Sequence, residues 1–261
     1  IFMETKLNKK YVIGTHVMWF EIEMYADFID GMINLLRNVE NKENVTIDLC
    51  FNMLQHFEEV DVNKIKKHEL VIKFKKGAAK LEDMGFEVNQ KIKDGDEFYF
   101  HADYRRDLNY NYCKKVDQVI ETLAKYTDEQ GIHKYLLSFS DRKMWDASWD
   151  PLVHVDYRDV KFIDDDNGHL YTNQAKSQLS IEEMNKINDR AEDFDFSYIT
   201  NPKISGACLV LSSDLIKFGV NIPSCMLYND DEGLSIMCQK LLGQNFMQFI
   251  SQNILHVHAR R

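Results

Sequence analysis

Lys10–Asn52 reads KYVIGTHVMWFEIEMYADFIDGMINLLRNVENKENVTIDLCFN, and this stretch decides the fold. Lys10–Ile13 is apolar and β-prone and predicts a short strand ending at Gly14. Ile22, Tyr25, Ala26, Ile29, Met32, Ile33 and Leu36 then recur at helical spacing, with Glu23, Asp27, Asp30 and Asn34 between them. That pattern predicts an amphipathic helix from about Glu21 to Arg37. Val45, Ile47, Leu49 and Phe51 next alternate with Thr46, Asp48, Cys50 and Asn52, which predicts a second strand. Strand, helix and strand in one short run form a βαβ unit, and such units build parallel sheets.

Working outward, Val62–Met84 is rich in lysine and predicts helix. Glu97–Ala102 (EFYFHA) predicts a strand, Leu108–Lys115 a helix and Val116–Ile120 a buried strand. His133–Ser140 is a further strand, Ile163–His169 an acidic loop, and Ser180 with Glu183 a capping box that opens a helix toward Ala191. Ile204–Ser213 (ISGACLVLSS) predicts a strand, Ser213–Gly219 a short helix closed by its glycine, and Asn253–His258 a last strand. The whole is α/β: a mixed, mainly parallel sheet flanked by helices. No repeat and no Pro/Gly/Ser-rich linker divides the chain, so one domain over residues 1–261 is expected.

Composition narrows the function classes. The 261 residues carry a net charge of −10, which argues against a large sequence-independent grip on nucleic acid. Five cysteines stand singly, with no CxxC pair, as expected for reduced thiols in a cytoplasmic protein without structural zinc. No apolar run approaches the roughly 20 residues that span a bilayer. The opening IFMETKLNKKY lacks the apolar core of a signal peptide.

Tyr228–Gly243 (YNDDEGLSIMCQKLLG) sets Asp230, Asp231 and Glu232 side by side at a helix start. Acids there are stabilised by the helix dipole and by unpaired backbone N–H groups, so a solvated cap explains them. One acid suffices for that, however, and three adjacent acids repel. A carboxylate placed to take a proton from an attacking hydroxyl is the other reading. Trp145 and Trp149 lie i and i+4 beside Asp146 and Asp150. Aromatic faces next to carboxylates suit a sugar or a base, and they equally suit a hydrophobic clamp on a loop. His256 and His258 fall on one face of a strand and could share a divalent ion, or simply stand half-exposed.

Taken in order, a small-residue strand (Ser205, Gly206, Ala207), a short helix and an acidic helix start resemble the GT-A fold glycosyltransferases, phage-type enzymes among them. Val12–Leu36 looks like the first strand, turn and helix of such a Rossmann-like domain, and Ala102–Ile120 is similar to the family's basic residue, Asn, helix and buried strand. The resemblance implies a nucleotide-sugar-binding half (residues 1–120) and an acceptor-binding half (121–261). It implies Thr15, His16, Asn52, Arg106, Asn109 and Gly206 around a nucleoside-diphosphate sugar, with a UDP-sugar favoured and Glu21, Asp103 and Arg105 nearby. Asp231 becomes the base, with Asp230 and Glu232 as alternatives, and Trp145 and Trp149 line the acceptor site. His258 or His256 would bind Mn²⁺ or Mg²⁺. The implied reaction is an inverting transfer to an acceptor hydroxyl, unidentified, with a modified DNA base disfavoured by charge. The chain departs from the family in one respect. The Asp-x-Asp metal motif should follow Val116–Ile120, but Glu121–Leu123 runs straight into AKYTDEQG, which reads as helix. Either the motif is absent or a loop has been lost there. That departure supports a second reading, a non-catalytic nucleotide- or sugar-binding protein on the same scaffold, and a third is an unrelated metal-dependent nuclease or phosphatase using Asp230–Glu232 and the late histidines.

Overall fold

The computed structural model describes residues 5–53, 67–94, 98–123, 196–199, 208–227, 230–243 and 248–251. In chain order the elements are β1 (Tyr11–Met18), α1 (Ile22–Leu36), β2 (Val45–Asn52), α2 (Lys67–Asp83), β3 (Glu87–Lys93) and α3 (His101–Tyr112). They continue with β4 (Gln118–Leu123), β5 (Phe196–Ile199), β6 (Cys208–Ser212), α4 (Ser213–Lys217), α5 (Asp230–Leu242) and β7 (Gln248–Ser251). β5 and β7 pair antiparallel as a separate ribbon.

The main sheet runs β3-β2-β1-β4-β6. Its first four strands are parallel, and β6 joins β4 antiparallel. The chain lays strands outward from β1 to β3 and then returns to place β4 on the other side of β1. In an α/β sheet, that reversal opens a crevice beyond the carboxyl ends of the strands, where ligands bind.

Alternation along the strands sorts the core into two faces. Ile13 and Val17 of β1 join Val45, Ile47, Leu49 and Phe51 of β2 against α1 and α2, around Tyr25, Phe28, Ile29, Met32 and Phe74. Phe74 stacks on Phe51 with ring centroids 5.1 Å apart. On the other face Val12, Cys50 and Val119 pack against Tyr104, Leu108 and Tyr112 of α3. Gly14 sits in mid-strand, not at a strand end, and α3 explains why. A Cβ there would run into the Leu108 side chain and come within 2.8 Å of the Tyr104 hydroxyl. A third cluster, with Ala102, Leu209, Val220, Ile222, Leu234 and Cys238, ties α3 to β6 and α5.

Several boundaries depart from the sequence expectations. β1 extends past Gly14 to Met18, where the Glu21 carboxylate accepts from the Met18 amide at 2.9 Å and closes the turn into α1. The strand expected at Glu97–Ala102 does not form: His101 already opens α3, and the Asp103 carboxylate accepts from the Phe100 amide at 2.9 Å as an N-terminal cap. The third strand is instead Glu87–Lys93, whose polar face hid it. β4 runs three residues past the expected end at Ile120, through Leu123, and the helix expected at AKYTDEQG lies outside the described residues. The short helix α4 and its closing Gly219, at φ 107°, stand as expected, as does the acidic helix α5. The strands expected at His133–Ser140 and Asn253–His258, the loop at Ile163–His169 and the helix toward Ala191 lie outside the described residues.

Candidate functional site

The first turn of α3 is the junction of the site. β1 presents His16 on the α3 side of the sheet, 2% exposed, and β2 presents Asn52, fully buried. The Asn52 amide nitrogen donates to the Tyr99 carbonyl at 2.7 Å and lies 3.0 Å from His16 Nε2. A carbonyl only accepts, so the Tyr99 contact fixes which end of the amide is nitrogen, and His16 Nε2 must accept. The His16 proton therefore sits on Nδ1 and is donated to His101 Nδ1, 3.1 Å away. The His16 ring also stacks on Tyr104 at 5.3 Å. Burial pushes the Tyr104 phenol well above its ordinary range, helped by the neighbouring Asp48 carboxylate, so it remains a neutral donor.

One turn after His101, Arg105 faces the acidic helix. Its Nη1 donates to Asp230 Oδ2 at 2.8 Å, with Arg105 2% exposed and Asp230 14%. The three acids thus separate into different roles. Asp230 is bound to a buried guanidinium. Asp231 accepts from the Glu232 amide at 2.8 Å through Oδ1, and its carbonyl accepts from the Ser235 hydroxyl at 3.0 Å. Asp231 and Glu232 are only partly buried. The α3 turn therefore brings together the end of β1, the end of β2 and the start of α5.

Arg106 and Asn109 serve the loop before α5. Arg106 donates to the carbonyls of Ile222, Pro223 and Met226 and to the Asp103 carboxylate, at 2.7–3.2 Å. That occupies four of its five N–H groups, which leaves no fork for a diphosphate. Asn109 donates to Asn221 Oδ1 at 3.1 Å, and Asn221 returns a bond to the Arg106 carbonyl at 3.3 Å. Thr15 is fully buried on the strand face opposite His16, and its hydroxyl has no hydrogen-bond partner among the described residues. Gly206, Trp145, Trp149, His256 and His258 lie outside the described residues.

Sequence reading missed His101 and Tyr99, and it placed Arg105 only as a neighbour of Arg106. The one available signal was the spacing of His101 and Arg105, i and i+4 on one helix face, which shows only once α3 is known to start at His101. Among the described residues no three His, Cys, Asp or Glu side chains converge on a common point. No described helix is long and apolar enough to cross a membrane. Compared with known proteins, the chain matches no family and no curated protein.

Proposed function

We propose that this chain is a cytoplasmic, single-domain glycosyltransferase of the GT-A class, moving a sugar from a nucleoside-diphosphate sugar, a UDP-sugar foremost, to an acceptor hydroxyl with inversion. The observation that carries the reading is the first turn of α3: through His101 it meets His16 and the Asn52 network, and through Arg105 it meets the acids of α5. Residues read separately, as nucleotide-binding and as catalytic, thereby meet at one end of the sheet. The sheet order supports the same placement, because its reversal beside β1 opens a crevice at that end.

In this reading Asp231 takes the proton of the acceptor hydroxyl as its oxygen attacks the anomeric carbon. The bond from that carbon to the diphosphate oxygen breaks, and nucleoside diphosphate leaves. Asp230 cannot serve equally well as base, since its charge is already bound to Arg105. Arg106 positions α5 and does not hold phosphate. Lys93 offers a cation at this end: it pairs in register with Asn52 and lies 4.2 Å from the Tyr99 ring centroid. A place for Mn²⁺ or Mg²⁺ rests on His258 and His256, with the acceptor platform at Trp145 and Trp149.

The test is nucleoside diphosphate release from a panel of nucleotide sugars with Mn²⁺ present. The reading expects release from at least one donor, falling about 10²–10⁴-fold in Asp231→Asn, the range a general base supplies. No release from any donor, or release unchanged in Asp231→Asn, contradicts it.

A further inference from the structure

The α3 side of the sheet is polar where β2 and β3 pass beyond α3. There the amino-terminal parts of β1–β3 and the end of α3 enclose a groove of about 530 Å³, within the size range of small-molecule sites. Its floor is Asp48, fully buried. Asp48 lies four residues before Asn52, or about 13 Å along the strand, so the groove is separate from the crevice.

The floor is held rigid. The Tyr104 hydroxyl, with one proton to give, lies 2.8 Å from the Asp48 carbonyl and 3.1 Å from its Oδ1, and the Tyr112 hydroxyl donates to Oδ2 at 2.8 Å. Lys91 Nζ lies 3.2 Å from the same Oδ2. Asn89 donates to the Tyr112 oxygen at 2.9 Å. A buried carboxylate that anchors its neighbours in this way fixes them before any ligand arrives, which lowers the ordering cost of binding. With one N–H on Asp48, the Lys91 ammonium keeps two more to donate, and Asn89 keeps its carbonyl oxygen to accept. The two residues stand i and i+2 on one strand face, about 7 Å apart. Around them the charges balance: Lys10, Lys91 and Lys115 against Glu43, Asp48 and Glu87. Balanced charge gives neither an anion nor a polycation an advantage, and the polar lining gives none to an apolar ligand. Fixed donors beside fixed acceptors match a neutral chain of hydroxyl groups.

We propose that this groove is a second saccharide-binding site, distinct from the crevice and independent of the glycosyl-transfer reading. The experiment is saturation-transfer NMR on the full chain, with maltotriose, cellotriose and triacetylchitotriose as probes and methyl phosphate and spermidine, both with observable C–H protons, as charged comparators. Transfer to at least one trisaccharide and to neither comparator is expected. Asn111→Trp, at an exposed rim position on α3, fills the groove mouth without touching the core and should weaken the signal about five-fold or more, the equivalent of roughly one lost hydrogen bond. UDP should not displace the sugar. Silence from all three sugars, transfer to a charged comparator, an unchanged signal in Asn111→Trp, or displacement by UDP overturns the proposal.

Discussion

Arg105 and Arg106 are neighbours in sequence with different work to do. Arg105 is buried against Asp230, so Arg105→Met leaves a largely buried carboxylate without its partner. Urea denaturation should show a loss of about 3–5 kcal/mol, whereas Asp231→Asn, at a partly exposed position, should stay within about 1 kcal/mol. Equal losses in the two variants would refute the division of the acidic trio. A second residue-scale prediction concerns alkali. Burial, with the Asp48 charge second, raises the Cys50 thiol from its ordinary 9.0 to about 12. Burial likewise pushes up the Tyr25, Tyr99 and Tyr104 phenols. Each of these groups binds its proton more tightly when folded. For Cys50 the associated stability is fully present below pH 9 and is lost as pH rises toward 12, at about 1.4 kcal/mol per pH unit. Cys50→Ala should therefore flatten the fall of stability above pH 9, and an unchanged slope would contradict the assignment.

At the scale of elements, the contact of β1 with α3 decides where the site lies. Gly14→Ala should destabilise by about 1–3 kcal/mol through overpacking against Leu108 and Tyr104. Leu108→Ala in the same chain should recover part of that loss, so the pair should be strongly non-additive in a double-mutant cycle. Strict additivity would mean that the helix does not press on the strand there. What could be read in the sequence follows from the same packing. α1 and β2 were legible because each buries one clean face, so their periods survive in the residue pattern. β3 was not, because Glu87, Asn89 and Lys91 line a polar groove, and on the α2 side polar Gln90, bonded to Glu82, interrupts Val88 and Ile92. α3 was read one turn or more too late. Phe98, Tyr99 and Phe100 look like strand, yet the cap at Asp103 turns the chain into helix directly after them. The acidic start of α5 was visible, but its partner was not, since a contact 125 residues distant leaves no local trace.

For the molecule as a whole, the parallel order β3-β2-β1-β4 sets the ends of β1 and β2 beside α3, and α3 in turn sets α5 beside them. The account stands on this convergence: the ends of β1 and β2 and the acidic helix all meet the first turn of α3, at the end proposed to take the nucleotide. The most direct test is a histidine-ring NMR titration of the full chain with UDP, the His16 and His101 signals being assigned through His16→Gln and His101→Gln. The account predicts that both signals shift on saturation, and that they shift alike in Asp231→Asn, which removes the base but not the binding end. UDP binding that leaves both rings undisturbed, or no UDP binding at all, would contradict it.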